Sequence, residues 1–110
     1  MPEQEIRRGE IYLCDFGEPV GHESSFRRPA LVVSAAPLNR HEMPIVIPIT
    51  SKQHNYPSHV ELDGILDRTS YLQCELITVV DGRRLIHRLG TINPATMSLV
   101  ETILRRLLVL

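Results

Sequence analysis

The sequence predicts a small, mainly β domain in which one C-terminal helix caps a strongly bent sheet or barrel. Residues 9–92 carry short apolar runs bounded by turn-forming residues, which is typical of about five to seven short strands. From residue 93 onward, the apolar residues recur with a helical period. The chain has 110 residues, of which 43% are apolar and 23% are charged, and this suits a single folded domain spanning residues 1–110.

The first half of the chain predicts three strands. Residues 9–16 form the first strand, and residues 17–28, with two glycines and a proline, form a long loop. Residues 30–35 are nearly all apolar, which indicates a strand buried on both faces. Residues 36–43 are expected to turn, with room for one helical turn. Residues 45–50 form the third strand, in which Pro48 indicates an edge or a bulge.

The second half predicts shorter connections and one terminal helix. In order, we expect a polar loop at 51–58, a short strand at 59–62, a connection at 63–69, the longest strand at 70–80 and a last strand at 85–92. Asn93 is a favourable N-cap, and Pro94 suits the first helical position, where a missing N–H costs nothing. The predicted core stripe of the helix is Met97, Val100, Ile103, Leu104, Leu107 and Leu108. Leu99 and Leu110 fall outside it, so self-association is a reasonable inference.

Charge and targeting signals limit the possible functions. The net charge of −1 gives no global attraction to nucleic acid, although the arginines come in clusters beside a single lysine, Lys52. No apolar run is long enough to cross a bilayer, and nothing at the N-terminus resembles a secretion signal. We therefore expect a cytoplasmic protein with no membrane association. In that compartment Cys14 and Cys74, each within an apolar stretch, are expected to be buried thiols.

Several kinds of catalytic centre are absent from the sequence. The five histidines are scattered, and no pair has a spacing typical of zinc ligands. There is no phosphate-binding glycine loop, dinucleotide fingerprint or nucleophile elbow. Cys14 and Cys74 are expected to be too buried to act as nucleophiles. The sequence therefore predicts neither a metal nor an organic cofactor.

Two polar residues at strand ends remain as candidates for chemistry. Arg28 precedes Pro29 at the start of an apolar strand, and Thr50 ends the strand at 45–50. A guanidinium can bind a phosphodiester bidentately and stabilise the charge that builds on its oxygens, while a hydroxyl can fix the orientation of the phosphate. The spacing leaves another interpretation open, in which Arg28 pairs with Glu23 or Glu10 and Thr50 simply ends a strand.

Motifs along nearly the whole chain resemble those of the MazF/PemK family of toxins. The most specific is residues 21–34, Gly-His-Glu followed by Arg-Pro-Ala-Leu-Val-Val-Ser. The others, in order, are Arg-Gly-Glu-Ile-Tyr at 8–12 with Asp15, Pro-Ile-Thr at 48–50, Tyr-Pro at 56–57 before 59–62, Cys-Glu at 74–75 and Arg-Leu at 84–85. Together they identify the chain as similar to the endoribonuclease toxins of bacterial toxin–antitoxin pairs.

The resemblance implies both a fold and an activity. It implies an SH3-like, partly open barrel of the CcdB/PemK type with a C-terminal helix, assembled as a homodimer. The implied activity is metal-independent, sequence-specific cleavage of single-stranded RNA (mRNA, tRNA or rRNA) that inhibits translation and growth and is neutralised by a cognate antitoxin. Carried over to this sequence, the catalytic residues are Arg28 and Thr50. The adjacent 2′-OH of the RNA attacks, leaving a 2′,3′-cyclic phosphate and a 5′-OH.

The two loops beside the catalytic residues are the candidates for RNA binding. Their polar and aromatic side chains can stack on unpaired bases and form hydrogen bonds with them. The residues assigned to RNA binding are His22, Ser25, Phe26, Arg27, Lys52, Gln53 and Tyr56. The chain departs from the family pattern at His22, Leu76 and Thr78, so the RNA sequence preference does not transfer, and a role of His22 in proton transfer stays open.

Two other functions remain open from the sequence. The same fold serves CcdB-type toxins, which bind DNA gyrase through the C-terminal helix without catalysis. The second alternative is a degenerate member of the family that is retained as a binding module. The Arg28 and Thr50 pair with its polar loops favours the nuclease, because a gyrase binder has no use for it.

Overall fold

Antiparallel strands make up most of the computed structural model, which describes residues 5–18, 21 and 26–110. In chain order the elements are β1 (Glu10–Asp15), β2 (Arg27–Val32), α1 (Ala36–Arg40), β3 (Ile45–Thr50), β4 (His59–Leu62), β5 (Ser70–Gln73), β6 (Thr78–Val79), β7 (Leu85–Thr91) and α2 (Pro94–Leu108). The strand order is β4-β5-β3-β2-β1-β7, and β6 also pairs with β3. The sheet ends at β4 and β7 and does not close, which confirms a mainly β fold with a C-terminal helix.

Two apolar clusters cover opposite faces of the central strands. The larger cluster joins alternate residues of β2 and β3, such as Leu31 and Ile47, to Val100 and Ile103 of α2. The smaller cluster uses the intervening residues, such as Ala30 and Val46, together with Tyr12 and Cys14 of β1. Ala30, Leu31 and Val32 are fully buried. Burial of this strand on both faces, as predicted, is confirmed.

Helix α2 begins as the sequence predicts. The Asn93 side chain accepts a hydrogen bond from the Thr96 N–H at 2.8 Å, and Pro94 is the first helical residue. Val100 and Ile103 of the predicted core stripe are buried, but Leu107 and Leu108 are exposed, so the stripe is wrong for the last helical turn. Leu99 and Leu110, predicted to lie outside the stripe, are exposed as well. Neither α1 nor α2, the helices of the described residues, has the length and apolar character that crossing a membrane requires.

A buried carboxylate connects β1 to β7 and to the N-terminal segment. Glu10 accepts hydrogen bonds from the Arg7 N–H at 2.7 Å, the Tyr12 hydroxyl at 3.0 Å and Arg88 Nη1 at 3.0 Å. Burial is the first cause that raises the pKa of Tyr12 to about 12, followed by its hydrogen bond to Glu10. With these partners Glu10 does not pair with Arg28, so the Glu10 half of that alternative interpretation is wrong. Glu23 lies outside the described residues.

The prediction of one long strand over residues 70–80 is wrong. β5 pairs with the C-terminal end of β3 through Leu72 and Ile49, whereas β6 pairs with its N-terminal end through Thr78 and Val46. A 3₁₀ turn at Cys74–Leu76 separates the two short strands. Because the sheet bends sharply here, one straight strand cannot follow both ends of β3. The apolar pattern of the stretch does not reveal that corner.

Two strand details also differ from the predictions. β2 begins at Arg27, before Ala30, so Arg28 lies inside the strand rather than in the preceding loop. Pro48 is opposite Ala30 in a central strand, and the prediction of an edge or a bulge is wrong. On its other side, β3 pairs with β6 at residues 45–46 and with β5 at residues 49–50. Pro48 occupies the gap between these ladders, where a residue without an N–H costs least.

Candidate active site

The pairing of β2 with β3 brings the two predicted catalytic residues together. Leu31 is opposite Ile47 and Ala30 is opposite Pro48. Arg28 and Thr50 each lie two residues beyond the last of these pairs, Ala30 and Pro48, and residues two apart in a strand share one face of the sheet. Arg28 and Thr50 are both partly buried and line the same cleft. A cleft with a guanidinium and a hydroxyl side by side suits a phosphate group.

The cleft has a volume of about 690 Å³. β2, the end of β3 with the loop after it, the connection between β4 and β5, and β5 itself form most of its wall. The lining residues are Leu13, Arg27, Arg28, Pro29, Ile49, Thr50, Ser51, Lys52, His54, Ile65, Leu66, Asp67, Arg68, Ser70, Gln73 and Leu89. Polar groups from four parts of the chain therefore meet over an apolar floor.

Arg28 is held by a neutral partner. Its Nη1 donates a hydrogen bond to Oε1 of Gln73 at 3.3 Å, and Gln73 is buried on β5. Within the described residues, no carboxylate forms an ion pair with Arg28. An amide oxygen orients the guanidinium without neutralising it, so among residues 5–18, 21 and 26–110 nothing cancels the positive charge that faces an anion in the cleft.

The cleft is locally basic in a chain whose net charge is slightly negative. Arg27, Lys52 and Arg68 line it with Arg28, and the one acidic residue among the lining residues is Asp67. Arg27 has a long contact of 4.0 Å with Asp15 at the exposed surface, which is worth little. Such a concentration of positive charge attracts polyanions to this one face of the molecule.

The predicted RNA-binding residues divide into three groups. Arg27 and Lys52 line the cleft, and Tyr56 contacts the lining residue His54. Phe26 and Gln53 are exposed and do not line the cleft, so the geometry does not bring them to Arg28 and Thr50. His22 and Ser25 lie outside the described residues.

Three rings form a cluster, which we call the ring cluster, beside the cleft. The rings of His54 and Tyr56 are stacked, with centroids 5.4 Å apart and planes 17° apart. The ring of His59 meets that of Tyr56 edge to face at 5.0 Å and that of His54 at 5.8 Å. The His59 N–H donates to the Tyr56 carbonyl at 3.0 Å, closing a turn in which Pro57 holds the second position. This turn places Tyr56 over His59.

Glu75 fixes the base of the ring cluster. Its carboxylate accepts a hydrogen bond from the Ser58 hydroxyl at 2.7 Å and contacts Nε2 of His59 at 2.8 Å. Burial opposes ionisation of Glu75, but the hydrogen bonds from Ser58 and His59 outweigh it and lower the pKa of Glu75. The charged form of Glu75 therefore stabilises this part of the fold.

Thiol and metal chemistry find no support in the geometry. Burial raises the pKa of both thiols, Cys14 and Cys74, to about 12, so neither forms a nucleophilic thiolate at neutral pH. The prediction that both cysteines are buried is confirmed. Over residues 5–18, 21 and 26–110, no three His, Cys, Asp or Glu side chains come together as metal ligands do.

Sequence reasoning missed Gln73 and Arg68 as lining residues. Gln73 was within a stretch predicted as continuous strand, and only the pairing of β5 with β3 brings it to Arg28. Arg68 stands in the predicted connection at 63–69, next to a second charged residue, Asp67. An arginine just before a strand is the same signal that identified Arg28, and it could have drawn attention to Arg68.

Comparison with known proteins identifies relatives over nearly the whole chain. Residues 7–108 match the family described as PemK-like, MazF-like toxin of type II toxin-antitoxin system. Endoribonuclease PemK of Escherichia coli is 33% identical over 110 residues, covering 91% of this chain and 83% of that protein. Endoribonuclease EndoA of Bacillus subtilis is 31% identical over 106 residues, covering 91% of each.

Solved structures share the fold. MazF from Deinococcus radiodurans has a TM-score of 0.90 and 27% identity, covering 98% of this chain and 100% of that chain. A mycobacterial endoribonuclease in complex with its cognate antitoxin has a TM-score of 0.78 and 29% identity, covering 94% of each chain. This likeness confirms the predicted PemK-type open barrel.

The stability of the ring cluster is expected to depend on pH through Glu75. Folding lowers the pKa of Glu75 below its ordinary value of 4.5. The contribution of Glu75 to the free energy of unfolding is therefore fully present above pH 4.5 and is lost as the pH falls through the lower pKa of the folded state. Glu75→Gln should lower the free energy of unfolding by about 1 kcal/mol at neutral pH, and this difference should shrink in acid. Urea unfolding at several pH values measures it. Glu61→Gln, an exposed site on β4, is the control, and a difference that persists in acid would contradict the assignment.

Proposed function

The chain belongs to the PemK-like, MazF-like family of type II toxin–antitoxin toxins, and we propose that it is a sequence-specific endoribonuclease that cleaves single-stranded RNA without a metal ion. Relatives at 33% and 31% identity are named endoribonucleases, which supports the reaction class. In this proposal residues 1–110 act as a single toxin domain. The convergence of Arg28 and Thr50 in one basic cleft is the observation that carries the proposal.

The proposed reaction needs little from the protein because the nucleophile comes from the RNA. The 2′-OH beside the scissile phosphate attacks phosphorus, and the bond to the 5′ oxygen breaks, which leaves a 2′,3′-cyclic phosphate and a 5′-OH. Arg28 stabilises the charge that grows on the phosphate oxygens, as a preorganised cation does in other phosphoryl transfers. The Thr50 hydroxyl donates to the same phosphate and holds it in line for attack.

The substrate is proposed to be unpaired RNA. Arg27, Lys52 and Arg68 line the cleft as further contacts for the phosphates on either side of the cleavage site. Exposed aromatic and amide side chains of the two loops, among them Phe26, Gln53 and Tyr56, are candidates for base contacts outside the cleft. We extend the same role to His22 and Ser25 from the sequence alone.

The biological setting is proposed from the relatives. A mycobacterial endoribonuclease has been solved with its cognate antitoxin, and MazE–MazF structures exist for Deinococcus radiodurans. We propose that a cognate antitoxin neutralises this chain, with acidic and apolar groups replacing RNA in the basic cleft. Cleavage of mRNA inhibits translation and growth, and such a toxin acts in the cytoplasm.

A homodimer completes the proposed assembly. Leu99, Leu107 and Leu108 of α2 leave apolar surface exposed on the chain. The gyrase-binding alternative would also use this helix. Relatives named endoribonucleases, together with the Arg28 and Thr50 cleft, favour RNA cleavage over that alternative.

Replacement of the cleft arginine tests the proposal directly. Arg28→Ala should reduce the cleavage rate of a long single-stranded RNA by roughly 10²–10³, the scale expected when one preorganised charge stabiliser is removed. Arg83→Ala removes an exposed arginine that pairs with Asp81 outside the cleft, and should cleave normally. Full activity of Arg28→Ala would exclude its proposed role.

Metal independence is tested with a chelator. Wild-type protein should be equally active in EDTA, and loss of activity in EDTA would contradict metal independence.

A substrate change tests the nucleophile. Replacing the nucleotide 5′ of the scissile phosphate by its 2′-deoxy form should abolish cleavage, because that RNA lacks the attacking hydroxyl. The matched all-ribose RNA should give a product whose 5′-OH a kinase labels without prior phosphatase treatment. Cleavage of the deoxy-substituted RNA at the same phosphate would contradict attack by the 2′-OH.

The neutral partner of Arg28 is open to a third test. Gln73→Glu places a carboxylate where the amide now accepts from Arg28, so an ion pair should form and compete with the phosphate. We expect kcat/KM to fall by roughly tenfold or more, the order of a 1.4 kcal/mol change. Ser98→Glu adds the same charge on the exposed face of α2 and is the control. Unchanged kcat/KM in Gln73→Glu would show that the charge of Arg28 is not needed.

A further inference from the structure

The proposed cleavage reaction requires proton transfer that Arg28 and Thr50 do not supply. The 2′-OH must lose a proton as its oxygen bonds to phosphorus, and the 5′ oxygen must gain one as it leaves. Arginine and lysine keep their protons at neutral pH, so the four cations of the cleft stabilise charge without accepting a proton. Histidine is the side chain that changes protonation between pH 5 and pH 8.

His54 is the histidine among the described residues that lines the cleft. β3 ends at Thr50, and His54 lies in the loop that follows, two residues after Lys52. The hydroxyl and the imidazole therefore come from neighbouring positions of the chain. Thr50 Oγ1 accepts a hydrogen bond from the Lys52 N–H at 3.2 Å, which joins the start of the loop to the strand end. Asn55 follows with a left-handed φ of 58°, a conformation that asparagine tolerates, and the chain turns between His54 and Tyr56.

The ring cluster supports the His54 imidazole through two ring contacts. One face of the imidazole stacks on Tyr56, and its edge meets His59. The His59 side chain is only 4% exposed, and Glu75 holds its Nε2 at 2.8 Å. His59 is also paired with Gln73 across β4 and β5, so the support and the partner of Arg28 belong to one rigid piece of sheet.

We propose that His54 is the general base of RNA cleavage and that Tyr56, His59 and Glu75 position its ring. The proposal rests on the endoribonuclease function given above. The neutral imidazole accepts the proton of the 2′-OH while the 2′ oxygen bonds to phosphorus. The bond between phosphorus and the 5′ oxygen breaks, that oxygen takes a proton from water, and the imidazolium later releases its proton to solvent.

The charged surroundings of His54 are defined by the elements that face it. Four cations line the cleft with His54, and the carboxylates nearby in the fold are Asp67, which also lines the cleft, and Glu75, which contacts His59. The titratable and charged groups that line the cleft or belong to the ring cluster and its base are Arg27, Arg28, Lys52, Tyr56, His59, Asp67, Arg68 and Glu75. A general base requires the neutral form of the imidazole.

Two substitutions at His54 separate proton transfer from base stacking. His54→Gln removes the proton acceptor, and His54→Phe also removes it but keeps a ring that can stack on Tyr56. A general base predicts that both variants lose roughly 10²-fold in kcat, within the range typical of such catalysis. It also predicts that any fall of wild-type activity in acid caused by protonation of this base disappears in both variants. His41→Gln, an exposed histidine after α1, is the control and should match the wild type.

The outcomes distinguish the inference from the function on which it rests. If wild-type protein cleaves RNA and His54→Phe cleaves as fast, the imidazole serves only for stacking and the inference is overturned. Equal activity in His54→Gln would overturn it as well. A substrate with sulfur in place of the 5′ oxygen, which leaves without protonation, should not restore the variants; restoration would make His54 an acid instead of a base. Absence of cleavage by wild-type protein would overturn the proposed function itself.

Discussion

The register between β2 and β3 is the constraint on which the candidate site depends. Leu31 and Ile47 face the larger core with α2, while Ala30 and Val46 face the smaller cluster. A slip of one residue would move every side chain of the strand to the opposite face and would disrupt both cores at once. The burial of β2 on both faces therefore also fixes Arg28 beside Thr50. Core packing and site geometry have the same cause.

The distribution of carboxylates keeps the cleft positive. Several arginines elsewhere have acidic partners: Arg88 binds Glu10, Arg8 binds Glu101, and Arg83 binds Asp81. Arg28 instead contacts the amide of Gln73, and Glu75, only two residues later, is held by Ser58 and His59. A near-neutral chain can thus present a local positive field without the general basicity of many nucleic-acid-binding proteins.

Local sequence predicts the parts of this protein that local forces determine. The N-cap at Asn93, the buried strand at Ala30 and the strand ends that carry Arg28 and Thr50 follow from residue type and spacing. The break at Cys74–Leu76 does not, because it comes from a corner of the sheet that residues far apart in the chain create. Gln73 was missed for the same reason, since its contact with Arg28 joins strands that β3 separates.

The loop between β3 and β4 shows why side-chain type alone is a weak guide to a binding surface. Composition describes residues 51–58 as an ordinary polar loop, and it gives Gln53 and Tyr56 equal weight. In the structure a hydrogen bond to Thr50 anchors the start of the loop, and a proline turn with a buried histidine beneath it anchors the end. If the proposed substrate is right, a loop anchored in this way would bind a flexible single strand with little further loss of entropy, because its rings are already ordered. Under that proposal, selection among RNA sequences and alignment for cleavage depend on the same few anchoring contacts.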